Sequence, residues 1–182
     1  FAIAAKAALR AAAGILPVRS TVRIPSGAKI YFGSLLHATD KIKYQGREFD
    51  FIGFDELTHF TEAQYVYLIS RVRGANAYPK QIKSSTNPGG VGHGWVKARF
   101  VAPAPPSTEF TGKDGMTRIF LPSFLEDNRF LAEGDPNYKK RLLSLPEKEQ
   151  KALLYGGLFL ASVLIVFRVI PFTVGLIVIP AI

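Results

Sequence analysis

Residues 49–56 read Phe49-Asp50-Phe51-Ile52-Gly53-Phe54-Asp55-Glu56, and the fold turns on them. An almost unbroken apolar run of strand length, closed by two carboxylates, is the pattern of a strand buried on both faces, as in a parallel sheet. At the carboxyl edge of such a sheet, side chains reach the crevice where ligands bind. There Asp55 can hold a hydrated magnesium ion, and Glu56 can orient and polarise a water for in-line attack on a γ-phosphate. The plain alternative is that the two acids open a helix, where negative charge suits the dipole.

The next segments extend the pattern. Thr61 with Gln64 three residues on forms a capping box, with Phe60 and Tyr65 as the hydrophobic staple. Tyr65, Leu68, Ile69 and Val72 then follow helical spacing along one apolar face. Arg71 and Arg73 suit the negative helix end, and Gly74 stops it. Gln81 to Asn87 reads as a shorter strand ending in Ser85-Thr86-Asn87. If the two strands are neighbours, these small polar groups lie beside Asp55 and Glu56, where they can sense a γ-phosphate. A polar strand end leading into an Asn-Pro turn is the bland reading. Pro88 to Gly94 is glycine-rich and precedes a short helix carrying Lys97 and Arg99. Free amides and two cations could hold a phosphate there; a loop that merely packs Trp95 onto the domain is an equal reading. It is no P-loop, because the Gly-Lys-Ser/Thr ending is missing from it and a complete Walker A sequence occurs nowhere in these residues.

Upstream, Thr21-Val22-Arg23-Ile24 and Lys29-Ile30-Tyr31-Phe32 alternate around Pro25-Ser26-Gly27, as a hairpin does. Residues 37–48 are polar. Residues 1–13 read as an Ala-rich helix already under way, stopped by Gly14 and Pro17. Downstream, residues 102–115 read as an exposed loop, Arg118 to Leu121 as a strand, and Asp135-Pro136 and Pro146-Glu147 as helix starts.

Composition sets the bounds. The 182 residues suffice for one domain with a core, and 48% hydrophobic content suits a globular chain. The formal charge of +9, from 23 Lys+Arg against 14 Asp+Glu, suits a polyanionic partner. With no cysteine, disulfides and thiolate metal sites are excluded. His37, His59 and His93 are scattered and form no metal-ligand cluster in sequence.

After Lys151 the character changes. Residues 152–182 carry a single charge, Arg168, among aliphatic, aromatic and glycine residues. A transmembrane helix needs about 20 apolar residues, and Arg168 and Pro171 interrupt this run. A core segment is a second reading. A frameshifted or truncated remnant is the preferred one, because the composition changes abruptly after Lys151.

At this point a family becomes recognisable. The run FDFIGFDELTHFTEAQYVYLISRVRG, followed by IKSSTNPGGVGHGWVKARF, resembles the ATPase domain of phage terminase large subunits. PSGAKIYFGSLLHATDKIKYQGREFD is similar to the segment preceding Walker B there, and LPSFLEDNRFLAEGDPNYKKRLLSLPEKEQKALLYG to the end of that domain. The resemblance covers roughly residues 21–156 and implies a P-loop NTPase-like, additional-strand α/β fold with a mostly parallel sheet. It divides the chain into a partial N-terminal helix (1–20), the C-terminal part of the ATPase domain (21–151) and the apolar tail (152–182). It implies ATP and Mg2+ as cofactors, with Asp55 as the Walker B magnesium ligand and Glu56 as the catalytic glutamate. Ser85, Thr86 and Asn87 match the motif coupling hydrolysis to movement. The implied partners are double-stranded DNA, a portal protein, a small terminase subunit and further copies of the chain in a motor in the host cytoplasm. Three departures stand out. The Walker A segment is expected before residue 1, Asn128-Arg129 replaces the usual Asn-Pro, and the apolar tail stands where the family leads into a nuclease domain. A membrane-anchored basic protein and a non-catalytic DNA-binding module are the alternatives.

Overall fold

The computed structural model describes residues 21–124 other than 24, together with 127, 133–135, 137–147, 150 and 174–180. The helix expected over 1–13, and most of the apolar tail, lie outside the described residues. The architecture is mixed α/β, with a five-stranded and a two-stranded sheet. The chain divides into two compact units: residues 1–55, 63–83 and 165–182, and residues 56–62 and 84–164.

The five-stranded sheet follows the order β1-β2-β7-β3-β4. Here β1 is Thr21–Arg23, β2 Lys29–Leu35, β3 Phe51–Phe54, β4 Gln81–Ser84 and β7 Val174–Pro180. The hairpin expected around Pro25-Ser26-Gly27 is present, with β1 antiparallel to β2 and Val22 opposite Ile30. Gly27 takes the left-handed conformation at φ 86°, which a residue with a Cβ rarely adopts. Strand β7 runs parallel to both neighbours: Lys29 to Leu35 pair with Val174 to Pro180, and Phe51 to Phe54 with Gly175 to Val178. Two strands distant in sequence are thus bridged by a third from the far end of the chain.

All four residues of β3 are buried, as its apolar run requires. The core of the first unit gathers Phe32, Leu35, Phe49, Ile52, Phe54, Leu68 and Val178. Ile52, Phe54 and Leu68 are fully buried, each contributing about 1.5–3 kcal/mol through removal from water. Helix α1, Glu62–Ile69, presents Tyr65 and Leu68 to this core, and the Phe54 and Tyr65 rings lie 5.0 Å apart.

The helix stops five residues before Gly74, where the sequence pattern places its end. Backbone pairing with Phe49 intervenes. The Phe49 N–H donates to the Arg71 carbonyl at 2.9 Å, and the Arg73 N–H donates to the Phe49 carbonyl at 3.1 Å. Extended pairing satisfies these groups as well as another helical turn would and seats Phe49 in the core. The polar stretch 37–48 also gains structure, a 3-10 helix over Ala38–Tyr44. Asp40 anchors its start by accepting the N–H groups of Leu36 and His37 at 2.8 and 2.9 Å, and it pairs with Lys43 at 2.7 Å. The His37 amide, Lys43 and the Leu36 amide hold the Asp40 carboxyl far below its usual titration range.

In the second unit a 3-10 turn, Leu57–His59, precedes α2, His93–Val96, which continues as a π-helical turn over Lys97–Val101. The stretch that reads as an exposed loop, 102–115, instead contains strand β5, Glu109–Thr111. This pairs antiparallel with β6, Thr117–Ile119. The reversal falls at Asp114-Gly115, where Asp114 accepts the Met116 N–H at 3.2 Å and Gly115 sits at φ 76°. Helix α3, Tyr138–Leu142, lies just beyond the expected Asp135-Pro136 start.

Candidate nucleotide-handling site

The residues after β3 leave the strand through a strained turn. The Asp55 N–H donates to the Val178 carbonyl at 2.9 Å, extending the β3–β7 ladder by one residue. Glu56 then adopts φ 48°, ψ 57°, a left-handed conformation that costs a residue with a Cβ about 1–2 kcal/mol. Such a conformation persists only where its surroundings over-determine it. Here the Leu57 N–H donates to the Ser85 carbonyl at 2.8 Å, and the His59 N–H closes the 3-10 turn on the Glu56 carbonyl at 2.8 Å. The Glu56 carboxylate is held at both oxygens. Oε1 accepts from the Asn87 side-chain amide at 3.1 Å, and Oε2 from the Asn87 backbone N–H at 3.2 Å.

Behind that grip lies a buried hydroxyl relay. The Thr58 N–H donates to Thr86 Oγ1 at 3.0 Å, Thr86 Oγ1 donates to Thr58 Oγ1 at 2.8 Å, and Thr58 Oγ1 donates to the Asn87 carbonyl at 2.9 Å. Both threonines are buried. Each polar atom in the relay therefore finds a partner, as buried groups must. The relay fixes the Asn87 backbone, and Asn87 in turn fixes the Glu56 carboxylate.

The glycine-rich loop closes over the same turn. The Gly92 N–H donates to the Thr58 carbonyl at 2.7 Å, and the Trp95 indole N–H to the Phe60 carbonyl at 2.9 Å. A Cβ on Gly92 would stand 2.5 Å from the Phe60 oxygen and 2.9 Å from the Thr58 oxygen, so only glycine allows this approach. The loop therefore packs Trp95 onto the turn, the second of the two readings its sequence allows. Its amides at Gly89 and Gly92 are occupied, the former by His93 Nδ1 at 3.1 Å. A hollow of about 10 Å3 remains, lined by Thr58, Thr86, Asn87, His93, Val96 and Lys97 among others; it has room for one water at most. Arg99 reaches Asp114 at 2.7 Å and Glu62 at 3.4 Å. Asp114 also bonds Arg118, which holds its carboxyl below the usual range.

Of the residues singled out in sequence, Glu56 and Asn87 are brought into direct contact, Ser85 supports the turn through its carbonyl, and Thr86 acts through Thr58. Asp55 ends the buried strand on the preceding unit. Among the described residues, no group of three or more His, Cys, Asp or Glu could hold a metal by itself. Thr58 escapes a sequence reading: a threonine inside a turn carries no pattern until its partner 28 residues on is seated beside it.

The chain matches, over residues 8–173, the family described as terminase large subunit, T4likevirus-type, N-terminal. The chain belongs to this family. No curated protein and no solved structure matches it. The terminase match spans both β3 with its acidic pair and the Ser85 to Asn87 turn. Among the described residues, no helix of this terminase chain is long and apolar enough to cross a membrane.

Proposed function

We propose that this terminase chain supplies the Walker B and coupling part of an ATP-hydrolysing motor that moves double-stranded viral DNA into a procapsid, with a P-loop NTPase-like fold. The observation that carries the reading is the Asn87 grip on Glu56. A glutamate in a strained turn, held at both oxygens by a residue of the neighbouring strand end, is a positioned base whose freedom depends on that neighbour. In this reading Glu56 orients the attacking water, and release or renewal of the Asn87 bonds links its position to the 85–87 turn. Thr86 and Thr58 transmit displacement of that turn through their relay.

The chemistry of the donors suits magnesium, a hard ion that binds one or two carboxylates alongside phosphates and water. Asp55 is the residue that would hold it; when bound, the ion would neutralise developing phosphate charge. The chain's own contribution is to keep Glu56 oriented and to exclude water from the Thr58–Thr86 relay. Portal protein, small terminase subunit and sister copies are the proposed partners, with work in the host cytoplasm.

Two measurements test this. Binding of manganese in the presence of ATP, followed by electron paramagnetic resonance, is expected to weaken at least tenfold in Asp55→Asn and to survive in Glu56→Gln. Equal manganese affinity in Asp55→Asn and the parent chain would refute the assignment. Phosphate release from ATP by the chain as it stands is expected to be slow or nil, since these residues contain no Walker A sequence; turnover matching an intact motor would overturn that expectation.

A further inference from the structure

Some surface cations of the first unit have carboxylate partners and others, such as Arg47 at 5.6 Å from the centre of the Tyr31 ring, form no ion pair among the described residues. Lys43, Arg73 and Lys80 each face a carboxylate: Asp40, Glu48 and Asp50, at 2.7, 3.4 and 2.9 Å. Lys41 and Arg71 do not; among the described residues neither forms an ion pair. Both instead sit over one ring. Lys41 Nζ lies 5.7 Å and the Arg71 guanidinium carbon 5.2 Å from the centre of Tyr67. The ring thus holds two positive groups, drawn from the 3-10 helix Ala38–Tyr44 and from the turn after α1. Arg71 is further steadied through Nε and Nη2, which donate to Ser70 Oγ at 3.1 and 2.9 Å; Nη1 makes neither bond. The two elements are tied by Gln64, whose Nε2 donates to the His37 carbonyl at 3.2 Å.

Two like charges brought to one aromatic ring, with no carboxylate to balance them, leave a net positive site whose geometry is already fixed. Ordering long cationic side chains costs entropy on binding, and stacking on a ring removes much of that cost beforehand. A polyanion with regularly spaced charges fits such a site, whereas an isolated carboxylate does not need two cations. We propose that Lys41, Tyr67 and Arg71 form a docking surface for the sugar-phosphate backbone of duplex DNA, one that reads charge and not sequence. The proposal deepens the packaging reading and rests on it, since it names where on this chain the DNA is held.

Fluorescence anisotropy of a short labelled duplex of mixed sequence, titrated with the full chain between about 50 and 200 mM salt, tests it. Replacing both cations, Lys41→Ala with Arg71→Ala, is expected to flatten the slope of log affinity against log salt by about 1.8, roughly 0.9 for each phosphate no longer neutralised. The charge-matched control, Lys43→Ala with Arg73→Ala, removes two cations that already have partners and is expected to change the slope much less. The charge-conserving pair, Lys41→Arg with Arg71→Lys, is expected to restore it, which rules out misfolding as the cause. An unchanged slope in the first variant, with the parent chain still binding DNA, overturns this surface and leaves the packaging reading standing. Equal flattening by the control shows a diffuse charge effect and overturns it too. If polyglutamate competes as well as DNA, charge for charge, the surface recognises acidic protein and the DNA assignment fails. No duplex binding by the parent chain would sink the packaging reading itself.

Discussion

Replacing Thr86 by valine tests whether the hydroxyl relay holds the site together. Valine keeps the shape of threonine and removes only the polar atom. Thr86 Oγ1 accepts the Thr58 N–H at 3.0 Å and donates to Thr58 Oγ1 at 2.8 Å, inside a region where both residues are buried. Without it the Thr58 N–H is deprived of its acceptor, and a buried unpaired donor costs about 1–3 kcal/mol. Thr58 Oγ1 keeps its bond to the Asn87 carbonyl, so the absence of one donor to it adds little. A destabilisation of about 2 kcal/mol is expected, a fall in melting temperature of about 4–8 °C for a domain of this size. Urea unfolding of the full chain measures it, with Thr86→Ser as the companion: serine keeps the hydroxyl and should lose only about 1 kcal/mol for its missing methyl group. The double variant, Thr58→Val with Thr86→Val, removes both members of the relay and should cost less than the sum of the single changes by at least about 0.5 kcal/mol. If Thr86→Val stays within about 0.5 kcal/mol of the parent, as an ordinary surface substitution would, the relay contributes no stability and the argument for its coupling role collapses.

Other consequences are open to measurement. Gly92→Ala places a Cβ 2.5 Å from the Phe60 oxygen and should destabilise by about 1–3 kcal/mol in chemical denaturation. Gly94→Ala meets nothing within 4 Å and should stabilise α2 by about 0.4–1 kcal/mol in the same assay. Lys80→Met takes the cation from the buried Asp50 carboxylate, which keeps the Asn76 amide at 2.9 Å; a loss of about 3 kcal/mol is expected, and adding Asp50→Asn should recover part of it. Asp40 contributes a pH dependence. Its folded carboxyl titrates below its ordinary value of 3.8, so the unfolded chain takes up a proton first as the solution is acidified. Its contribution is therefore fully present above that ordinary value and declines as pH falls below it. Urea midpoints of the parent and Asp40→Asn should differ most near neutrality and converge in acid; a gap that widens on acidification would contradict the assignment.

Part of this fold is legible in the residues themselves. The apolar run of β3 announces a strand buried on both faces, and the Pro-Ser-Gly punctuation announces the β1–β2 hairpin, because each signal is local. The end of α1 is not local: Arg71 to Arg73 look helical until Phe49 is there to pair with them. Strand β5 is hidden by the Pro, Ser and Thr residues around it, although Asp114-Gly115 is a hairpin signal. At the candidate site, the nearness of Glu56 to the Ser85 to Asn87 strand end is legible, and the Glu56–Asn87 contact shows it. The left-handed backbone of Glu56 and the role of Thr58 require partners about 30 residues away, which no local pattern encodes. By composition the apolar tail is compatible with a frame change, a membrane segment or a core; the register of Val174–Pro180 against β2 and β3 lies in backbone pairing that composition does not carry.

That register has a temporal consequence. A ribosome delivers β2 and β3 long before residues 174–180, and the edge by which each pairs with β7 stays open until those residues emerge. In the interval each displays a row of unsatisfied amides and carbonyls, the condition under which nascent chains pair with one another. The carbonyl that fixes the Asp55 amide belongs to Val178. The Asp55 end of the strand therefore sets only after residues 174–180 have been made, and a chaperone holding the nascent sheet open would also delay the setting of that strand end.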